Sequence, residues 1–222
     1  MPVEIQAQFD HLVIGAETLD AGAAWAERVL GADIAPGGAH PLMSTHNRLA
    51  RLPVGYLEII AVDPSAPAPA RPRWYGLDAP ETRARLATGP QPLTWVVAVA
   101  DLDAAAAAAR EADWAPGEIL TVTRGDLSWR MTVPADGAPP EGGVLPTLIE
   151  WPESLGRAAP RDQMRDAGLE LTGLTLRCPD RSAILQRLRA VGADMPGVAL
   201  AVEDGPPGIS VGLSTPKGPV LV

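Results

Sequence analysis

Three times along this chain a short apolar run is followed by a polar break and then by a stretch with helical spacing. The first is Phe9 to Gly15, then Thr18-Leu19-Asp20, then a helix to about Leu30. The second is Leu93 to Val99, then Asp101-Leu102-Asp103, then an Ala-rich helix to about Ala112. The third is Leu169 to Arg177, then Pro179-Asp180, then a helix to about Val191. A repeated order of elements limits the fold more than any single motif, because each unit must bury the same apolar faces against its neighbours. Each Thr or Asp before a helix suits an N-cap, where a side-chain oxygen accepts an orphan backbone N–H. The first and third helices end alike, in Leu30-Gly31-Ala32-Asp33 and Val191-Gly192-Ala193-Asp194. Each glycine suits the left-handed residue that closes a helix.

Short strands are expected after each helix. They are Arg48 to Leu52 and Tyr56 to Val62, then Ile119 to Thr123, Ser128 to Val133 and Thr147 to Trp151, then Val198 to Val202, Ile209 to Leu213 and Val220 to Val222. The chain therefore reads as α+β. Units of order β-α-β-β-β span 8–64 and 92–152, with a third, partial unit over 169–222. A Pro-rich linker or lid over 65–91 separates the first two, since proline removes donors and fixes φ. A second linker is expected over 152–168.

Composition narrows the function. Hydrophobic residues make up 46% and charged residues 20%, enough for a buried core. The net charge of -9, from 18 basic and 27 acidic residues, argues against nucleic acid and anionic membrane as partners. Apolar runs such as Trp95 to Ala100 are too short to span a bilayer. Met1 to Gln8 shows no basic apolar leader, so a cytoplasmic location is expected. The single cysteine, Cys178, excludes an internal disulfide and a cysteine-cage zinc site. The hydrolase elbow Gly-x-Ser-x-Gly and a phosphate loop are both missing, and Lys217 is the only lysine.

Tandem β-α-β-β-β units with His on the first strand and Glu on the last resemble the vicinal oxygen chelate superfamily, which includes glyoxalase I, extradiol dioxygenases and bleomycin-resistance proteins. Phe9-Asp10-His11-Leu12-Val13-Ile14, Gly37-Gly38-Ala39-His40-Pro41, Thr45-His46-Asn47 and Tyr56-Leu57-Glu58-Ile59-Ile60 resemble its glyoxalase-like domain branch. So do Arg71-Pro72-Arg73-Trp74, Arg124 to Arg130 and Leu148-Ile149-Glu150-Trp151. The resemblance implies a deeply curved mixed sheet, helices outside and a cavity inside.

Strand alternation then sorts side chains. Leu12 and Ile14 suit the helix side of the first strand, which leaves Phe9, His11 and Val13 toward the cavity. On the fourth strand Tyr56, Glu58 and Ile60 share a face, while Leu57 and Ile59 suit the helices. His11 and Glu58 are thus candidate metal ligands, because imidazole and carboxylate suit Zn, Fe, Mn or Ni. Glu150 is a third candidate ligand or a base, provided that a one-residue change of register does not turn it outward. In relatives that bind metal the paired unit supplies further ligands; here Thr94 stands opposite His11 and is a poor one. His46 is a candidate acid or base, or else a polar residue closing a turn. His40, Asn47, Arg124, Trp129 and Trp74 are candidate substrate-binding residues. For them the alternatives are loop, solvated charge, core packing and a linker anchored by one aromatic. The expectation is a metal-dependent isomerase, lyase or dioxygenase-type enzyme acting on a small oxygen-rich metabolite, without an organic cofactor. The alternative is a metal-free binding protein like the bleomycin-resistance members. A homodimer is a further expectation.

Overall fold

The computed structural model describes residues 5–152, 159 and 163–222. The linker expected over 152–168 lies partly outside the described residues. The first unit consists of β1 (Ala7–Gly15), α1 (Leu19–Trp25), β2 (Ala35–His40), β3 (Thr45–Arg51) and β4 (Tyr56–Val62). After α1 the chain continues as a π-helical turn, Ala26–Leu30. The second unit is β5 (Gln91–Val99), α3 (Leu102–Glu111), β6 (Glu118–Arg124), β7 (Leu127–Val133) and β8 (Thr147–Glu150). The expected caps form: Thr18, Asp101 and Asp180 accept from the N–H groups of Ala21, Ala104 and Ala183 at 3.1, 2.9 and 3.0 Å. Each such cap is worth about 1 kcal/mol.

These eight strands form one mixed sheet in the order β2-β3-β4-β1-β5-β8-β7-β6. β1 pairs parallel with β4, β5 pairs parallel with β8, and the two units join where β1 runs antiparallel to β5. The sheet curls until its edge strands β2 and β6 come within 8 Å of each other. Its convex face carries Leu12, Ile14, Leu57, Ile59, Trp95 and Val97 against α1 and α3. Fully burying an aliphatic side chain of this size contributes about 1.5–3 kcal/mol. The concave face carries Val13, Ile60, Val96, Met131 and Ile149 around a hollow.

Three features depart from the sequence reading. β2 contains Pro36-Gly37-Gly38, which reads as a loop, yet it pairs with β3 through Ala35–Leu49 and His40–Thr45. It lies at the sheet edge, where proline costs no ladder bond. The link between the first two units contains a short helix, α2 (Pro80–Leu86), with Pro at its first turn. The third unit, β9 (Glu170–Cys178), α4 (Arg181–Ala190), β10 (Leu200–Asp204), β11 (Gly208–Thr215) and β12 (Gly218–Leu221), repeats the element order but not the strand order. Its separate sheet runs β10-β9-β11-β12, because α4 returns the chain directly beside its own strand as a parallel neighbour.

The third unit is fastened to the first. Gly31 (φ 67°) ends the π-helical turn, and the Lys217 side chain passes so close that a Cβ on Gly31 would lie 2.8 Å from its Cγ. The ammonium then donates to the carbonyls of Glu27 and Arg28 at 3.0 and 2.8 Å. A cation on these orphan carbonyls complements the helix dipole. Among the described residues, no helix is long and apolar enough to cross a membrane.

Candidate functional site

A β-bulge builds the centre of the site. Phe9 pairs with Val97 and His11 with Val96, so Asp10 is an extra residue on β1. Such a bulge re-aims side chains. Phe9 therefore packs on the convex face, contrary to plain alternation, while Asp10 joins His11 in the hollow. His11 Nδ1 donates to Asp10 Oδ1 at 2.6 Å, and Trp151 Nε1 donates to Asp10 Oδ2 at 2.9 Å. This carboxylate selects the tautomer that leaves a lone pair on Nε2. The imidazole also stacks on Tyr56, with ring centroids 4.4 Å apart. Its Nε2 lies 3.6 Å from Glu58 Oε2, so the two side chains do converge. Burial, with Asp10 and Glu58 nearby, pushes the Tyr56 phenol well above its ordinary range and keeps it protonated.

Glu58 is held by Asn47 from β3. Asn47 Nδ2 donates to Glu58 Oε1 at 2.5 Å and to His40 Nε2 at 3.4 Å. The amide orientation follows from its other side: the backbone N–H of Gly38 donates to Asn47 Oδ1 at 2.9 Å. His40 Nδ1 in turn donates to Thr45 Oγ1 at 3.1 Å. Burial first, then Arg124, His11 and His46, lower the His40 pKa to about 3. A neutral His40 is also what the network needs, since its Nε2 must accept from Asn47. His40 thus ends a strand and supports the site from within.

Aromatic rings close the hollow. Trp74 and Tyr75 come from the strap after the Pro-rich link, which Ser44 holds by donating to Pro67 O at 2.5 Å. A salt bridge of 2.7 Å between Arg73 and Asp78 fixes its turn. Tyr75 is buried in the left-handed region at φ 59°, a conformation costing roughly 1–2 kcal/mol that its stacking on Trp74 helps offset. The Trp74 ring lines the hollow, and its indole N–H is buried without a hydrogen-bond partner among the described residues. Trp129 lines the same hollow and donates to the Met131 sulfur at 3.4 Å. About 20 Å³ remains free inside, room for about one ordered water. Arg124, at the far edge of the sheet, reaches across the seam to within 3.5 Å of Asn47 Oδ1 and lies over the Trp129 ring at 5.9 Å.

Two expected residues lie elsewhere. Glu150 shares the convex side of β8 with Leu148, while Ile149 and Trp151 take the concave side. Its carboxylate accepts from the N–H of Leu102 at 2.7 Å and from Arg130 at 3.2 Å, capping α3. It does not join His11 and Glu58. His46 occupies the face of β3 opposite Asn47, and its Nε2 is buried without a partner among the described residues. Thr94 is fully buried beside Val13, its hydroxyl donating to Trp95 O at 3.3 Å. The sequence reading put Tyr56 on the face of Glu58 without giving it or Tyr75 a role, and it missed Asp10 and Trp151; the bulge on β1 hid Asp10.

A divalent ion finds two suitable donors here. Ligand atoms about 2.1 Å from one tetrahedral ion lie about 3.4 Å apart, close to the 3.6 Å between Nε2 and Oε2. Among the described residues, however, no three His, Cys, Asp or Glu side chains converge on one point. The donor set does not make the three- or four-ligand centre that the resemblance implies.

The chain is similar over 90% of its length, with a TM-score of 0.59 and 15% identity, to 86% of a hypothetical protein from Staphylococcus aureus. A methylmalonyl-CoA epimerase from Mycobacterium tuberculosis gives a TM-score of 0.44 at 18% identity, covering 71% of this chain and 97% of that one. A Streptomyces coelicolor methylmalonyl-CoA epimerase variant in complex with 2-nitronate-propionyl-CoA gives 0.42 at 16%, covering 70% and 99%. No curated protein sequence matches the chain. The model of the glyoxalase-like domain matches residues 9–192, which contain both halves of the curled sheet and every residue of the hollow. That match covers well over half of the sequence, and the chain belongs to the glyoxalase-like domain family.

Proposed function

We propose that the chain is an isomerase- or lyase-type enzyme that moves a proton at a carbon beside a carbonyl of a small oxygen-rich metabolite. The observation that carries this reading is the Asp10–His11–Glu58 arrangement. An imidazole oriented by a buried carboxylate presents Nε2 to a closed hollow, with a second carboxylate 3.6 Å away. In the first step Nε2 takes the proton from carbon, and the C–H electron pair moves to the carbonyl oxygen. Asp10 and Glu58 flank the imidazolium that forms. The unpaired indole N–H of Trp74 is a donor for the developing oxygen charge. The proton then returns from His11 to carbon, or the enolate pair forms a carbon–carbon double bond while a group on the neighbouring carbon departs with the electron pair of its own bond and takes the proton from His11. The chemistry runs on protein groups, with Glu150 and His46 outside it.

The test is exchange of carbon-bound hydrogen for deuterium in a panel of small oxo acids and hydroxy ketones, followed by proton NMR in D2O. Exchange catalysed by the wild type and lost in His11→Gln and Glu58→Gln supports the reading. Ligands that stabilise the protein without any exchange, whether or not chelator is present, would overturn it in favour of a sequestering protein.

A further inference from the structure

Arg124 is half-buried and stands where two spaces meet. It lines the closed hollow beside His11 and Glu58, and also an outer groove of about 560 Å³ walled by β2, Leu49, Leu127 and Met164. The local structure is arranged to put it there. Gly125 (φ 57°) turns the chain at the end of β6, and Gly38 on β2 leaves the path clear. A Cβ on Gly38 would lie 2.9 Å from Arg124 Cδ and 3.0 Å from its Cγ.

Among the described residues, no carboxylate pairs with the guanidinium. Arg71, Arg73, Arg130 and Arg187, half-buried like it, meet the carboxylates of Glu118, of Asp78, of Asp103 and Glu150, and of Asp113 and Glu141, while half-buried Arg48 and Arg177 donate to Ile34 O and Ser210 Oγ at 3.1 and 2.9 Å. Arg124 has one polar contact among the described residues, 3.5 Å to an Asn47 oxygen that the Gly38 N–H already occupies at 2.9 Å. The chain carries 27 acidic residues against 18 basic ones, so acids were available to pair with it. A half-buried guanidinium packed on an aromatic ring presents a flat fork of donors suited to two oxygens of one oxyanion. Nearby, the buried and unpartnered Trp74 N–H adds a donor on the wall of the hollow.

We propose that Arg124 is an oxyanion-binding residue, and that the substrate class is anionic: a molecule whose carboxylate or phosphate sits on Arg124. Its reacting carbon enters the hollow, and the bulk of the molecule lies in the outer groove. The reacting end is small, because the hollow has room for about one water-sized group. This inference rests on the proton-transfer reading for the role of the hollow, but the anion site stands on Arg124 and is tested separately.

The experiment is titration of the full chain with malonate, methyl phosphate and neutral malonamide, followed by tryptophan fluorescence and by thermal shift. Malonate or methyl phosphate should bind at millimolar concentrations, and the tighter of the two identifies the oxyanion. Malonamide should bind at least tenfold more weakly, a comparison that needs no variant. Arg124→Gln should weaken the anion about tenfold, the loss of one charge-assisted contact. His11→Gln should bind the anion within threefold of wild type, whatever becomes of deuterium exchange. Binding of malonamide equal to malonate, equal anion affinity in Arg124→Gln, or no response to either anion would overturn the proposal. Arg124-dependent binding without any exchange would leave this inference standing and remove the proton-transfer reading.

Discussion

Gly37 offers a sharp test of how the site is assembled. Its φ lies outside the left-handed region, so alanine there brings no backbone strain. The consequence is steric: a Cβ would overlap Asn47 Oδ1 and lie 3.0 Å from Asn47 Cγ and from Leu49 Cγ. Asn47 must then move, which weakens its bonds with the Gly38 N–H and the Glu58 carboxylate. Overpacking costs about 1–3 kcal/mol, and a hydrogen bond to a charged group contributes about 1.5–3 kcal/mol. Against these, Gly→Ala gains about 0.4–1 kcal/mol by restricting the unfolded chain. Gly37→Ala should therefore lose about 2–3 kcal/mol. Asn47→Ala alone should lose about 3 kcal/mol, because it leaves a buried carboxylate short of a donor. In the double variant the overlap with Asn47 is gone, so the second substitution should add less than about 1 kcal/mol. The coupling energy of about 2 kcal/mol is read from urea unfolding of the four proteins by fluorescence, with equal slopes. Additivity within about 0.5 kcal/mol would refute the claim that Gly37 is small in order to seat Asn47.

Other substitutions separate the roles assigned above. Asp10→Asn should keep the fold but lower proton exchange by roughly a hundredfold or more, since the amide no longer fixes the His11 tautomer; circular dichroism and NMR exchange check this. His40 stays neutral in the fold down to about pH 3, whereas unfolded it titrates near 6.5. Its share of stability is thus present above pH 6.5 and is lost as pH falls from there toward 3, by about 1.4 kcal/mol per unit at most. His40→Gln should flatten the urea midpoint between pH 6.5 and about 4.5, above which ordinary carboxylates stay ionised. Glu150→Gln should lose about 1 kcal/mol of stability through the α3 cap and leave exchange rate and anion affinity unchanged; a fall in either would place Glu150 back in the site.

How far the sequence reached can be judged residue by residue. The caps at Thr18, Asp101 and Asp180 are local chemistry, and local chemistry was readable. The facing of His11 and Glu58 followed from alternation on β1 and β4, which hold parallel register from His11–Tyr56 to Gly15–Ile60. Alternation failed where pairing was irregular. The Asp10 bulge exists only against β5, so nothing in Phe9-Asp10-His11 alone announces it. Glu150 failed for the related reason that its face depends on the register of β8 against β5 and β7.

The chain's own order of residues therefore determined the helix ends, the two paired units and the apolar stripes on each strand, because these depend on neighbours within a few positions. It did not determine the strand order of the third unit, the strand character of Gly37-Gly38, or the meeting of Arg124 with Asn47 across 77 residues. Those arise from closing a curled sheet edge to edge. That geometry is set by the sum of twist, bulges and packing over eight strands, and no short segment contains it.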